Sequence, residues 1–300
     1  MSHVIETRAL SMRFGKNHVL RGVDLDVPKG SVTALLGRNG IGKSTLLRIL
    51  VGFHPPTAGT ARVLGLDPAK RGPAVRALVG YVPDRLELPK WMTVRDHLRF
   101  LEPFYPTWDA RLVDDLLGRL QLDAAAKVAT LSKGQRAKHA LIAAMAHRPE
   151  LLLLDEPFSG LDPVVRHEVL GAVMGHLRED GRTVLVVSHS MSDIERVADR
   201  LVFLDEGRVR MDMDLEEVQR RARRVAVTLR AGTNGWAPPG APVVARTGDD
   251  VLLTYLDWDD AHEAAMRGDP AVADVRQLPR DLNDVFLAAV GREEASCAAS

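Results

Sequence analysis

The sequence predicts an α/β protein, a buried parallel sheet followed by a smaller α+β unit, and three observations carry that prediction. The apolar runs VTALL (32–36), the four leucines of LLLLDEP (151–157) and TVLVV (183–187) have the length and unbroken hydrophobicity of strands covered on both faces. The first runs directly into the glycine-rich segment GRNGIGKST (37–45), after which LLRILVG resumes at helical spacing. Beyond residue 224 the pattern changes to short alternating runs separated by turns such as AGTNGWAPPG and TGDD.

Strand, glycine loop and helix form the context that the pattern G-x-x-x-x-G-K-[ST] requires. Gly37, Gly40 and Gly42 let the backbone wrap a phosphate chain, with Arg38, Asn39 and Ile41 between them. Lys43 places a positive charge beside the β- and γ-phosphates, and Ser44 can ligate Mg²⁺. Thr45 lies at the helix N-terminus, where free N–H groups favour anions. The strand LLLLD supplies an acidic counterpart, because Asp155 and Glu156 emerge at its C-terminal edge, where open α/β sheets bind ligands. Asp155 is placed to hold the Mg²⁺ shell, and Glu156 to polarise a water for in-line attack.

Between these halves, LSKGQ (131–135) is a helix start. Ser132 and Gln135 have capping-box spacing, so a helix should begin at Lys133. Ala137, Ala140, Leu141, Ala144 and Met145 continue it, with His147 and Arg148 as a basic last turn and Pro149 as the stop. Lys133 is the odd residue, since a cation in the first turn opposes the helix dipole by about 0.3–1 kcal/mol. A nearby anion reverses that sign. Upstream, residues 93–129 read as helices, WDARLVDDLLGRLQL (108–122) most clearly.

Downstream, LVFLDEGRVRM (201–211) reads as two strands and DLEEVQRRARR (214–224) as a helix whose RRARR end is a solvated face. VAVTLR, PVVAR and VLLTYL then read as short strands, DWDDAHEAAMRG (257–268) as a helix, AVADVRQL (271–278) as a strand and DLNDVFLAAVG (281–291) as a closing amphipathic helix. No catalytic constellation is found there. HEAAM (262–266) begins like a zinc-protease helix, but Met266 stands where the second histidine is needed, which leaves His262 a surface residue.

Lys+Arg and Asp+Glu balance at 40 each, so no strong field recruits nucleic acid or an anionic bilayer. Cys297 is the only cysteine, which excludes an intrachain disulfide. With no signal-like stretch at the start and no apolar run near ~18 residues, a cytoplasmic protein is expected.

Five further stretches fall in the order found in the ATP-binding-cassette (ABC) ATPases. LSKGQ resembles that family's signature, SGLD (159–162) its D-loop, and Ser188-His189 after TVLVV its switch histidine. Phe14 resembles the aromatic that stacks on adenine, and GYVPD (80–84) sits at the Q-loop. The match covers residues 3 to about 215, and DLNDVFL is similar to the close of ATPase subunits from bacterial exporters with separate membrane chains.

The resemblance implies a phosphate-loop NTPase core with an antiparallel β subdomain and a helical subdomain, residues 1–222, followed by a small α+β domain, 223–300. It implies ATP and Mg²⁺ as ligands, Glu156, His189 and Lys43 as catalytic groups, and a second ATPase subunit, a second copy of this chain, packed head to tail. Ser132, Lys133, Gly134 and Gln135, with Asp162, then face the ATP held by the partner. A multi-span membrane subunit completes the assembly, docking a coupling helix on the helical subdomain and holding the chain at the inner face of the membrane.

Two residues depart from the pattern: Lys133 stands where the family usually has glycine, and Asp84 where it has the glutamine that reaches Mg²⁺. Asp84 is shorter and charged, yet an acceptable hard ligand. The rival reading is a soluble ABC protein acting on nucleic acid or ribosomes. It is disfavoured by the single cassette, the lack of a coiled coil and the zero net charge.

Overall fold

The computed structural model describes residues 2–179, 181–188, 194–231 and 243–279, together with 233, 236, 238, 282, 284, 285, 287 and 288. The chain divides into two compact units, Met1–Val209 and Arg210–Ser300.

In the first unit, β1 (His3–Phe14) pairs antiparallel with β2 (Asn17–Pro28). After β3 (Val32–Leu36) and α1 (Lys43–Leu50), the strand β4 (Ala58–Val63) completes a three-stranded antiparallel sheet, ordered β2-β1-β4. Then come α2 (Pro68–Leu78), β5 (Val79–Val82), α3 (Val94–Leu101), a 3-10 turn at Glu102–Phe104, α4 (Ala110–Arg119) and α5 (Lys133–Met145). The unit continues through β6 (Leu151–Asp155), α6 (Pro163–Glu179), β7 (Thr183–Val187) and β8 (Arg200–Asp205), and β9 (Arg208–Asp214) begins at its last two residues.

The main sheet runs β5-β6-β7-β3-β8-β9, parallel from β5 through β8. Every residue of β3, β6 and β7 is buried, as their uninterrupted apolar runs require. The helix α1 buries Leu46, Leu47, Ile49 and Leu50 in one core with Ile5, Leu10 and Leu20 of the antiparallel sheet and Leu35, Leu153 and Val202 of the main sheet. One helix therefore joins both sheets at the end where the glycine loop emerges. The register carries this further: Val187 pairs with Leu35 on one side and Asp155 on the other. The loop after β3 and the acidic end of β6 thus lie level at one sheet edge.

The helical portion is as expected in outline and shorter in extent. Asp109 caps α4, which stops at Arg119, and 123–130 is loop closed by a 3-10 turn at Val128–Thr130. The helix α5 starts at Lys133 with both capping-box bonds present. Its end corrects the expected basic last turn, because α5 stops at Met145 and Arg148 adopts a positive φ of 50°. His147 is buried and held to about 4 by that burial, the reverse of a solvated cation.

In the second unit, α7 (Leu215–Arg221) ends three residues before the expected 224. Arg223 and Arg224 instead open β10 (Arg223–Leu229), which pairs antiparallel with β12 (Asp250–Tyr255) and β13 (Val272–Leu278). The sheet is ordered β11-β12-β10-β13, with β11 (Val243–Thr247) at one edge. Alternate residues Val225, Val227, Val251, Leu253 and Val275 form its core with Met266 of α8 (Asp260–Gly268). Arg221 ties α7 to the segment before α8, its guanidinium pairing with Asp257 at 2.9 Å and its carbonyl accepting from the Trp258 N–H. The helix α7 therefore falls with the C-terminal strands, ahead of a division at 222/223. His262 is half-buried, capping α8 with Asp259 and stacked on Trp258, which corrects its reading as a surface residue. Of the closing helix expected at 281–291, residues 282, 284, 285, 287 and 288 are helical, and the remainder lies outside the described residues.

Candidate functional site

A cleft of about 490 Å³ opens at the shared edge of β3, β6 and β7. The glycine loop lines one side with Asn39, Gly40, Gly42, Lys43, Ser44 and Thr45, and the strand end lines the other with Asp155 and Glu156. Phe14, 47% exposed at the end of β1 and edge-on to His54, stands at the mouth. Asp84 enters from the loop after β5.

The loop geometry follows from its residues. Gly42 caps α1 at φ 113°, and a Cβ there would approach Leu20 to 2.8 Å, so only glycine fits beneath the phosphate-facing turn. No side chain caps α1, which leaves its first-turn N–H groups directed at the cleft. The ammonium of Lys43 donates to the carbonyls of Gly37 at 2.6 Å and Arg38 at 3.0 Å, bracing the loop from inside. Burial lowers its pKa, against the opposing charges of Glu156 and Asp155.

Asp155 is 1% exposed, and neither carboxylate oxygen makes a well-formed hydrogen bond. Burial raises its pKa; the nearby Ser44 hydroxyl opposes the rise, and the charges of Asp84 and Glu156 add to it. Buried carboxylate oxygens approached only by the Ser44 hydroxyl are costly unless a cation or further donor completes them. The donor set of carboxylate and hydroxyl oxygens suits a hard cation such as Mg²⁺. Glu156 follows in the left-handed region at φ 50°, its N–H held by the Val187 carbonyl at 3.0 Å. That strained backbone turns its side chain to the cleft, away from the strand alternation.

Ser132, Lys133, Gly134, Gln135 and Asp162 do not reach this cleft. They line a second one, of about 450 Å³, with Gly160, Leu161 and Val165. Ser132 Oγ accepts from the Gln135 N–H at 3.2 Å, and Gln135 Oε1 accepts from the Ser132 N–H at 2.9 Å. The serine hydroxyl proton thus stays available for an outside acceptor. Asp162 accepts from the Val165 N–H at 3.0 Å. The side chain of Lys133 lies across Gly160, where a Cβ would meet its Cε at 3.1 Å. Ile41 packs into the core, and His189 lies outside the described residues.

Val19 of β2 and Ser159 also line the first cleft; Val19 escaped the sequence reading, and Ser159 was read only as the first residue of SGLD. Ser159 reaches the cleft because its N–H bonds to the Glu156 carbonyl three residues back. Val19 carries no signal, since a valine in a strand reads as packing.

Residues 20–159 match the family model described as ABC transporter. The ABC transporter ATP-binding protein YtrB of Bacillus subtilis is 30% identical over 290 residues, spanning 96% of this chain and 98% of its own. Nod factor export ATP-binding protein I of Paraburkholderia xenovorans is 32% identical, over 96% and 97%. The aliphatic sulfonates import ATP-binding protein SsuB of Pseudomonas putida is 36% identical, over 85% and 93%. The solved structure of an ATP-binding subunit of an ABC transporter superposes with a TM-score of 0.67 at 31% identity, covering 72% of this chain and 92% of that one. Sequence motifs, sheet order and these likenesses agree: the chain belongs to the ABC transporter family, as an ATP-binding subunit that hydrolyses ATP.

Proposed function

We propose that the chain drives export by ATP-dependent, head-to-tail closure with a second copy of itself, in complex with a multi-span membrane subunit. One observation carries the dimer reading: Lys43, Asp155 and Glu156 line one cleft, whereas Ser132, Gly134 and Asp162 line another. One chain holds two halves of a site, and a second copy turned head to tail supplies the complement to each. In this reading Phe14 stacks on the adenine, the loop 37–45 holds the phosphates, and Ser44 and Asp155 hold Mg²⁺, which neutralises charge on the phosphates when bound. Glu156 accepts the proton of the attacking water, and His189 assists at the γ-phosphate.

Export is supported by the Nod factor export protein, which matches across the C-terminal unit as well as the cassette. The import protein spans less of this chain. The membrane partner is supported by a groove of about 260 Å³ beside the helical region, lined by Phe53, Leu86, Leu88, Leu101 and Tyr105, with Trp91, Phe100 and Phe104 exposed nearby in sequence. Among the described residues no helix is long and apolar enough to cross a membrane, so the pathway belongs to another chain in this reading.

A complementation test addresses the shared site directly. Lys43→Ala loses the phosphate cation, worth about 1.5–3 kcal/mol or roughly 10–100-fold in affinity, and should not turn over alone. Ser132→Arg, which blocks the N-terminus of α5, should also be inactive. Mixed, the two assemble one intact composite site, and ATPase activity should return in part. A mixture as inactive as its components contradicts shared sites.

A further inference from the structure

Lys133 opens α5 and is exposed, and among the described residues its ammonium makes no hydrogen bond or ion pair. Its stem runs instead over Gly160 of the same chain, where an added Cβ would meet Cε at 3.1 Å and Cδ at 3.3 Å. Beside it Leu161 packs on Gly134, where a Cβ would meet the leucine Cδ2 at 3.2 Å. The N-terminus of α5 thus rests on residues 160 and 161. Those residues lead back to the first cleft through a short strap. The Ser159 N–H donates to the Glu156 carbonyl at 3.1 Å and the Leu161 N–H to the Phe158 carbonyl at 3.2 Å, so successive turns overlap. Phe158 and Leu161 are buried, which anchors the strap on both sides of Ser159. Pro157 fixes its own φ, and the soft joint that remains is Gly160 at φ 70°, since glycine takes either sign of φ without steric cost. Glycine at position 133, the usual residue of the family, would leave that joint bare.

We propose that Lys133 is a positioning residue for Glu156 of its own chain, its stem closing over Gly160 and holding the strap that sets the glutamate in the first cleft. This rests on reading Glu156 as the general base. Glu156 is held at φ 50°, a conformation that persists only where its surroundings impose it, so slack at Gly160 reaches it directly. A misplacement of about 1 Å can cost on the order of 10²-fold in rate, so a few contacts of a lysine stem suffice. A residue of the second cleft thereby tunes hydrolysis in the first cleft of the same chain. The family resemblance instead places Lys133 at the ATP of the partner. The two assignments differ in which chain of a pair feels its loss, and in whether stem or charge matters.

The test uses full-length protein: a limiting chain with an intact first cleft is mixed into a large excess of Lys43→Ala chains, so that each limiting chain pairs with an inert one. Lys133→Gly on the limiting chain should lower kcat by roughly 10-fold or more while KM for ATP stays within a few-fold, the mark of a displaced base rather than of lost binding. Lys133→Met, whose Sδ and Cε take the places of Cδ and Cε without the charge, should recover most of that loss. Lys133→Gly on the excess chain should cost several-fold less. A loss that follows the excess chain, or one shared equally by Lys133→Gly and Lys133→Met, overturns the proposal, as does turnover that Lys133→Gly leaves unchanged. Glu156→Gln on the limiting chain is measured in parallel. If it lowers turnover where Lys133→Gly does not, the proposal fails and the base reading stands. If Glu156→Gln turns over like the unsubstituted limiting chain, both fail.

Discussion

At the scale of single residues, the site is built by backbone as much as by side chains. Glu156 is brought to the cleft by a left-handed φ that a glutamate adopts only when its surroundings hold it, here through its N–H on Val187. Its neighbour Asp155 stays on strand register and is buried with unsatisfied oxygens. Two adjacent carboxylates thus acquire different environments and separable tasks. Glu156→Gln keeps size and metal site but removes the proton acceptor, so steady-state ATP turnover should fall by about 10²–10⁴-fold while ATP binding persists. Near-normal turnover would remove Glu156 from the base role. These residues were legible because the chemistry of phosphate binding fixes their order and spacing. Lys133 was legible only as an anomaly: its path across Gly160 depends on a turn almost thirty residues downstream, which no local pattern records.

At the scale of elements, the buried strands and capped helices were legible from sequence, and the half-exposed ones were not. VTALL and TVLVV became β3 and β7 without change, and the four leucines became β6 with Asp155 added at its end, because burial on both faces leaves an unbroken apolar run. The strands β1 and β2 carry charges on their open face, and their pairing shifts register at several points, which breaks the strict alternation that marks a strand. The helix α7 was read too long because RRARR is a good helical sequence, yet pairing with β12 and β13 claims Arg223 and Arg224.

Helix packing also hides titratable groups. His97 on α3 and His139 on α5 share a hydrogen bond of 2.7 Å, and burial holds His139 at about 4 and lowers His97. His147, stacked on Tyr105 at 4.2 Å, is likewise held at about 4 by burial. Each pKa is depressed from 6.5, so between 6.5 and about 4 the unfolded chain binds more protons than the folded one. Stability is therefore full above 6.5 and is lost as pH falls through this window, by on the order of 1–3 kcal/mol per histidine. Urea unfolding at a series of pH values should show that loss already between pH ~6.5 and ~5, above the ordinary carboxylate range. His147→Phe, which keeps a ring against Tyr105, should flatten part of the slope. A flat profile there would mean these histidines are not buried neutral.

At the scale of the whole molecule, the chain is a cassette that binds nucleotide plus a C-terminal unit, and among the described residues the lining of the cleft comes from the first unit. A chain ending at residue 222 retains every strand of the main sheet and all of the residues lining both clefts. It should bind Mg-ATP with an affinity within a few-fold of the full chain, measured with a fluorescent nucleotide. A folded truncation without ATP binding would assign the C-terminal unit a part in the site. The central claim is that ATP joins two copies by placing the α5 N-terminus of one at the γ-phosphate held by the other. Because ligand that binds only the closed pair stabilises it by mass action, unhydrolysed ATP should hold that pair together. The direct measurement is the mass of Glu156→Gln in solution, by light scattering after size exclusion, with and without Mg-ATP. The account predicts a dimer with Mg-ATP, a monomer without it, and a monomer under both conditions once Ser132→Arg is added. A Glu156→Gln protein that binds Mg-ATP yet stays monomeric, or an ATP-bound dimer indifferent to Ser132→Arg, would contradict it.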